Sequence, residues 1–116
     1  MSSNMVIFGW NRTIPGRERM SEQHFEEFVT YCNELKQSKT IQSFDIVFLD
    51  PHSGDLNGFF LLRGEPANLD RMISSKDWVN HILRATMHLE GVGVVRGQTG
   101  DLVMEMMNTW KEQIPD

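Results

Sequence analysis

Histidine is the residue in this sequence best suited to acid–base chemistry, because an imidazole titrates near neutral pH. His24 falls on the apolar stripe of a predicted helix, where it could line a cavity as acid, base or hydrogen-bond donor, with a structural role as the commoner alternative. His52 lies within residues 51–55, whose composition favours a wide turn, so a turn role is the better interpretation. His81 and His88 are seven residues apart across a change of element, a spacing that matches no metal motif. We predict no metal site.

Two strand-end arginines and two indole rings are the remaining candidates. Arg63 and Arg96 each end an apolar strand and could meet an anionic ligand, although exposure to water or pairing with Asp or Glu is the better interpretation. Trp10 and Trp78 suit the walls of a mostly apolar pocket, with core packing as the alternative. The predicted pocket, suited to a small aromatic or oxo acid, is lined by Trp10, His24, Arg63 and Trp78.

Changes in apolar periodicity locate the elements that must position these residues. The pattern predicts strands over residues 5–12, 41–49, 57–63 and 87–96, and helices over about 20–38, 69–83 and 102–114. The first helix begins either with Pro15 in its first turn or with Ser21 as N-cap. The second is one kinked helix or two short ones. In the last strand, Gly91 and Gly93 indicate a bulge or a close backbone approach.

This order predicts an α+β fold: a ferredoxin-like βαββαβ antiparallel sheet with an added C-terminal helix, in a single domain spanning residues 1–116. Right-handed crossovers place the helices on one face of the sheet. The strands are apolar at both parities, so the other face also needs a cover. The simplest cover is the same face of a second subunit, which predicts a homodimer.

Composition excludes several classes of function. The 116 residues carry a net charge of -5 at pH 7, without the basic stripe that nucleic acids require. No apolar run approaches the length of a membrane helix, and no secretory signal is visible, so we expect a cytoplasmic protein that binds neither nucleic acid nor membrane. Cys32 is the single cysteine, and its place on a buried helical stripe predicts an inert hydrophobe. The glycine clusters lack phosphate-loop spacing, and we predict no cofactor.

Three stretches of the chain carry a resemblance to a known superfamily. They are Ile14-Pro15-Gly16-Arg17, residues 54–64, and the helical string Leu69, Met72, Ser75 and Trp78. Over nearly the whole chain the sequence resembles the dimeric α/β-barrel superfamily, which includes the antibiotic-biosynthesis monooxygenase-like, YCII-like, EthD-like and muconolactone isomerase-like families. The resemblance implies a cavity between the sheet and the two crossover helices of each subunit. His52 and Asp55 are not given the roles of the His and Asp pair of YCII-like families, because they lie in a hairpin turn.

Such cavities host reactions from cofactor-free oxygenation to isomerisation, dehydration and heme handling, as well as simple ligand binding, so the fold leaves the function open. We expect a small-molecule-binding protein, either a cofactor-independent enzyme acting on a small aromatic or oxo-acid metabolite, or a non-enzymatic binding or structural module. In the latter case Phe28, Leu62 and Trp78 would fill the cavity.

Overall fold

A four-stranded antiparallel sheet lies at the centre of the fold. The computed structural model describes residues 2–116. The strands are β1 (Met5–Trp10), β2 (Arg12–Thr13), β3 (Ser43–Phe48), β4 (Gly58–Arg63), β5 (Leu89–Glu90) and β6 (Gly93–Gly97). The helices are α1 (Glu18–Gln37), α2 (Pro66–Ser74), α3 (Lys76–Thr86) and α4 (Asp101–Glu112). The sheet order is β3-β4-β1-β6, and β2 pairs with β5 separately. This is the predicted ferredoxin-like α+β arrangement with one added helix.

Strand alternation gives the sheet one buried face. Phe8 lies opposite Phe60, and Val6 lies opposite Leu62, with all four side chains at most 3% exposed. The helix-derived Phe28 ring packs 4.8 Å from that of Phe60, edge to face. The apolar residues of α1 therefore seal this face, and the core lies between the sheet and the helices.

Helix α1 begins before Ser21, so the N-cap alternative for this residue is wrong. The helix begins at Glu18, and Arg17 precedes it without a side-chain capping bond. Ser21 therefore lies inside the first turns of the helix, where its hydroxyl is available to other elements. Between α2 and α3, Ser75 is extended at ψ 152° and its hydroxyl accepts from the Trp78 backbone N–H, so the alternative of two short helices is confirmed.

The predicted first and last strands are each interrupted. Asn11 separates β1 from β2, and residues 91–92 separate β5 from β6. Gly91 has φ +70°, and a Cβ there would lie 2.9 Å from the Asn11 Cβ, which confirms the predicted close approach at Gly91. At Gly93 a Cβ would meet nothing within 4 Å, so there is no close approach there. The short β2–β5 pair holds the end of α3 beside the start of α1.

Helix α4 contributes nothing to the core. None of its residues is buried, and the exposed fraction of its Trp110 is 59%. The radius of gyration is 16.0 Å, whereas a compact chain of this length has about 13 Å. Within residues 2–116, every helix is too short or too polar to cross a bilayer.

Candidate functional site

A cavity of about 220 Å³ opens between the sheet and α1. Strand alternation directs Phe8 and Trp10 of β1 into it, and the three- and four-residue spacing of α1 adds Ser21, His24 and Phe25. Its apolar wall consists of Phe8, Trp10, Phe25, Phe28, Phe48, Phe60 and Leu89. Its polar groups are Thr13, Ser21, Glu22, His24 and His88. The cavity is thus an aromatic pocket with most of its hydrogen-bonding groups contributed by β2, α1 and the segment before β5.

The polar end of the pocket is a chain of hydrogen bonds. Thr13 Oγ1 donates to Ser21 Oγ at 2.9 Å, and Ser21 Oγ lies 2.7 Å from Nδ1 of His88. Nε2 of His88 lies 2.8 Å from Nδ1 of His24. Nε2 of His24 in turn lies 3.0 Å from Nδ1 of His81. Both ring nitrogens of His24 and of His88 therefore have partners.

Three elements position the imidazoles. His24 is on the buried stripe of α1, and its side chain is 2% exposed. His88 follows α3, where its N–H donates to the Ala85 carbonyl and its carbonyl accepts from Ile14 N–H at 2.8 Å. His81 lies on α3, with its ring stacked against Tyr31 at a centroid distance of 4.5 Å. Helix α1, helix α3 and the segment that follows α3 thus bring the three rings together.

Burial controls the ionisation of these rings. Loss of hydration is the largest cause that lowers the pKa of His24 to about 4, and the positive charge of Arg84 is the next. The same two causes lower the pKa values of His81 and His88. All three rings are consequently neutral near neutral pH. Each neutral ring carries one N–H donor and one acceptor nitrogen, which matches the chain of hydrogen bonds.

The structure brings together two of the four predicted site residues. Trp10 and His24 both line the pocket. Trp78 does not line it; the ring is 2% exposed and packs in the core, 5.8 Å from Phe28. Arg63 is on the opposite face of β4 from Phe60 and pairs with Asp45 at 2.6 Å, so it does not reach the pocket either. The placement of Trp78 and Arg63 in the predicted pocket is therefore corrected.

Sequence reasoning missed Ser21, His81 and His88 as members of the site. Ser21 and His88 are 67 residues apart in the chain, and His24 and His88 are 64 apart. No local spacing indicates such contacts. The only available signal was the number of histidines, since three of the four lie outside the hairpin turn.

The remaining candidates have structural partners. His52 stays in the hairpin connection, where its Nδ1 accepts from Gly54 N–H at 2.9 Å. Arg96 pairs with Asp70 at 2.6 Å. Burial raises the pKa of the Cys32 thiol to about 12, so it stays protonated, as expected of an inert side chain. The three rings of the histidine chain bond to one another. In the described part of the sequence, no three His, Cys, Asp or Glu side chains are grouped so that they could hold a metal ion.

These features define a class of protein: a ferredoxin-like α+β fold with an aromatic pocket between the sheet and its first helix. No protein-family model matches the chain, and no curated protein matches it significantly. Among solved structures, the chain is similar to PA3566 from Pseudomonas aeruginosa, known from a crystal structure. The TM-score is 0.54 at 15% identity, over 83% of this chain and 93% of that chain. At this identity the likeness concerns the fold alone.

Proposed function

We propose that this protein is a homodimeric member of the dimeric α/β-barrel superfamily that binds a small aromatic metabolite and performs cofactor-independent acid–base chemistry on it. One observation carries the proposal: the aromatic pocket is lined at one end by Ser21 and by the neutral imidazoles of His88 and His24, which are hydrogen-bonded in a chain. Apolar walls with a few convergent polar groups are the usual composition of a small-molecule site. A cytoplasmic location accords with a single, buried, reduced cysteine.

The pocket favours a neutral ligand over an acid. No arginine or lysine lines it among the described residues, and the one charged side chain at its wall is Glu22. A carboxylate would therefore lack a cationic partner and would meet a like charge. A phenol, an enol or an aromatic ketone can exchange hydrogen bonds with Ser21 and Thr13 while its ring contacts the aromatic walls. Between the two predicted ligand classes, the small aromatic compound fits better than the oxo acid.

A binding protein without catalysis is the second candidate. It is favoured by the low pKa of His24, because an imidazole with a pKa of about 4 is a weak base at neutral pH. A non-enzymatic protein whose cavity is filled by its own side chains agrees less well with the structure. Phe28, Leu62 and Trp78 are buried as it requires, yet an open cavity of about 220 Å³ remains beside them.

Thermal-shift titration with phenols, aromatic ketones and aromatic acids tests the binding step. We expect neutral aromatic compounds to raise the melting temperature of the wild-type protein. Ser21→Ala and Trp10→Ala should reduce that rise, since both side chains line the pocket. Arg63→Ala is the matched control, because Arg63 is on the other face of the sheet and should leave the ligand response unchanged. The pocket proposal is rejected if no compound stabilises the protein or if all variants respond alike.

Chemical conversion separates the two candidates. A compound that stabilises the protein is incubated with it in deuterated water, and deuterium uptake at carbon is followed by mass spectrometry. An acid–base enzyme exchanges a carbon-bound proton with solvent, whereas a binding protein leaves the ligand unlabelled. The wild-type protein should label an enolisable aromatic ketone faster than Ser21→Ala does.

A further inference from the structure

Hydrogen-bonded side chains lead from the polar end of the pocket to the protein surface. Ser21 and His88 are at the pocket, His24 is the middle ring, and His81 is the outermost one, partly exposed on α3. Within residues 2–116, Nε2 of His81 has no hydrogen-bond partner, while no buried side-chain nitrogen or oxygen lacks one. This nitrogen therefore contacts solvent.

We infer that Ser21, His88, His24 and His81 form a proton relay, which carries a proton between a ligand in the pocket and the solvent at His81. The inference deepens the proposed function and rests on it. A ligand that fills the pocket displaces the water there, so its polar end needs a route through the protein for any proton it gains or loses.

The order of the ring nitrogens makes all hydrogen bonds of the relay point the same way. Each contact between rings joins Nε2 of one histidine to Nδ1 of the next, from His88 through His24 to His81. A neutral imidazole has one donor and one acceptor nitrogen. Two arrangements therefore satisfy the chain. Either all three rings are protonated on Nε2 and Ser21 donates to His88, or all three are protonated on Nδ1 and His88 donates to Ser21.

Transfer of one proton converts the first arrangement into the second. The ligand hydroxyl gives its proton to the Ser21 oxygen as Ser21 gives its own to Nδ1 of His88. Each of His88 and His24 passes its Nε2 proton to the next Nδ1, and His81 releases its Nε2 proton to water. The ligand has lost one proton, the solvent has gained one, and the rings stay neutral. Packed imidazole rings do not flip easily, so the first arrangement is restored by proton transfer in the reverse direction. A ligand tautomerisation, which removes one proton and returns one, supplies both transfers.

The charged groups packed around His81 are compatible with three neutral imidazole rings. Arg84 on α3 lowers the pKa of all three rings, and it is paired with Glu27 of α1. Asp77, Glu27 and Glu34 raise the pKa of His81, but burial and Arg84 outweigh them. Tyr31 covers one face of the His81 ring.

Nitrogen-15 spectra of histidine-labelled wild-type protein, without ligand, test the relay directly. Near neutral pH we expect three neutral rings that share one tautomer or exchange between the two shared ones. Scalar coupling between the nitrogens should be seen across both ring-to-ring hydrogen bonds. Mixed tautomers within the chain, or a charged ring near neutral pH, would overturn the relay. His52, which belongs to the hairpin turn, serves as the internal reference ring.

Proton release by bound 4-nitrophenol tests transfer, because its phenolate is coloured. After a pH jump in stopped flow, His81→Phe should slow ionisation of the bound phenol by about tenfold or more, since the ring remains but carries no nitrogen. His81→Ala should behave alike and be rescued by imidazole in the buffer. His52→Ala is the matched control and should ionise the phenol at the wild-type rate. Affinity should be unchanged throughout, because His81 does not line the pocket.

The two experiments distinguish the relay from the proposed function. If 4-nitrophenol binds and ionises equally fast in wild-type protein and His81→Phe, the relay is wrong and the ligand proposal stands. If 4-nitrophenol does not bind the wild-type protein, the proposed ligand class loses its support, and the tautomer spectra decide the relay.

Discussion

At the scale of single residues, burial determines what the histidines can do. His24 and His88 are each 2% exposed, and loss of hydration is the largest cause of their lowered pKa values. An isolated imidazole in this position would be costly, since a buried donor or acceptor without a partner is destabilising. Here each nitrogen of these two rings bonds to another side chain. The cluster is therefore both a stable core element and a polar end for the pocket.

The stability of the protein should depend on pH through His24. Its pKa falls from 6.5 to about 4 on folding, so below pH 6.5 the unfolded chain binds a proton that the folded chain does not. His24 therefore makes its full contribution to the free energy of unfolding above pH 6.5, and this contribution declines as the pH falls toward 4. For His24 alone the loss is about 3 kcal/mol. Urea unfolding followed by tryptophan fluorescence across this range measures it.

Two variants separate the contribution of His24 from that of Asp and Glu side chains, which also titrate at acidic pH. In His24→Leu the pH dependence between these limits should flatten, because the titrating ring is gone. His52→Ala should retain the wild-type dependence, since His52 lies in the hairpin turn. Equal slopes for wild-type protein and His24→Leu would contradict the assignment.

Two of the four site residues predicted from residue type and alternation line the pocket. Trp10 and His24 both line the pocket, because each lies on an apolar stripe whose direction is set by local periodicity. Arg63 was misplaced although alternation groups it with Phe59 and Leu61, on the face that the helices do not cover. Trp78 was misplaced because an indole serves equally well in a core. Contacts across 57 to 67 residues, such as that of His24 with His81, have no local signature.

At the scale of elements, packing against α1 makes β4 a core strand. Phe60 is 1% exposed, and its ring contacts those of Phe28 and Phe25 at 4.8 and 5.5 Å. Phe60→Ala should therefore cost about 3 to 5 kcal/mol of unfolding free energy. Phe59→Ala, on the opposite face and half-buried, should cost less. Denaturant midpoints compare them, and a loss below about 1 kcal/mol for Phe60→Ala would show that β4 is not a core strand.

Alanine substitutions at Gly91 and Gly93 distinguish backbone strain from a simple loss of backbone flexibility. Gly91 has φ +70° and lies against Asn11, whereas a Cβ at Gly93 would meet nothing within 4 Å. Gly91→Ala should destabilise the protein by about 1 kcal/mol or more, because an L side chain is strained there and must displace Asn11. Gly93→Ala should be close to neutral. Thermal unfolding of the two variants measures the contrast, and equal effects would refute the strained geometry at Gly91.

Periodicity predicted the element order well and the element ends less well. All four sheet strands and the helical regions lie where the apolar pattern placed them. The interruptions at Asn11 and Gly91 were not predicted as strand breaks, because they arise from the β2–β5 pair, a long-range contact. Ser21 has the residue type of an N-cap, but α1 begins three residues earlier, at Glu18, and the Ser21 hydroxyl bonds to Thr13 and His88 instead. Local sequence therefore specifies which elements form, and packing decides where they end.

At the scale of the whole molecule, this chain exposes more surface than a compact monomer. Its accessible area is 7737 Å² for a mass of 13.4 kDa, against about 6,500 Å² for a compact protein of that mass. The excess includes apolar side chains of α4, such as Met104 and Trp110, and Val95 of β6 on the uncovered face of the sheet. Large exposed apolar areas of this kind are typical of association surfaces.

We therefore expect a homodimer in solution whose sheets pack face to face over at least about 1,200 Å² in total. Light scattering at micromolar concentration should give twice the chain mass of 13.4 kDa. Val95→Glu should shift the protein toward monomer, because it places a charge in the middle of β6 on the apolar sheet face, where Val95 is 57% exposed in one chain. Lys111→Glu, at an exposed position of α4, is the control and should stay dimeric. A monomeric wild-type protein would refute the dimeric barrel and leave the apolar sheet face without the cover proposed for it.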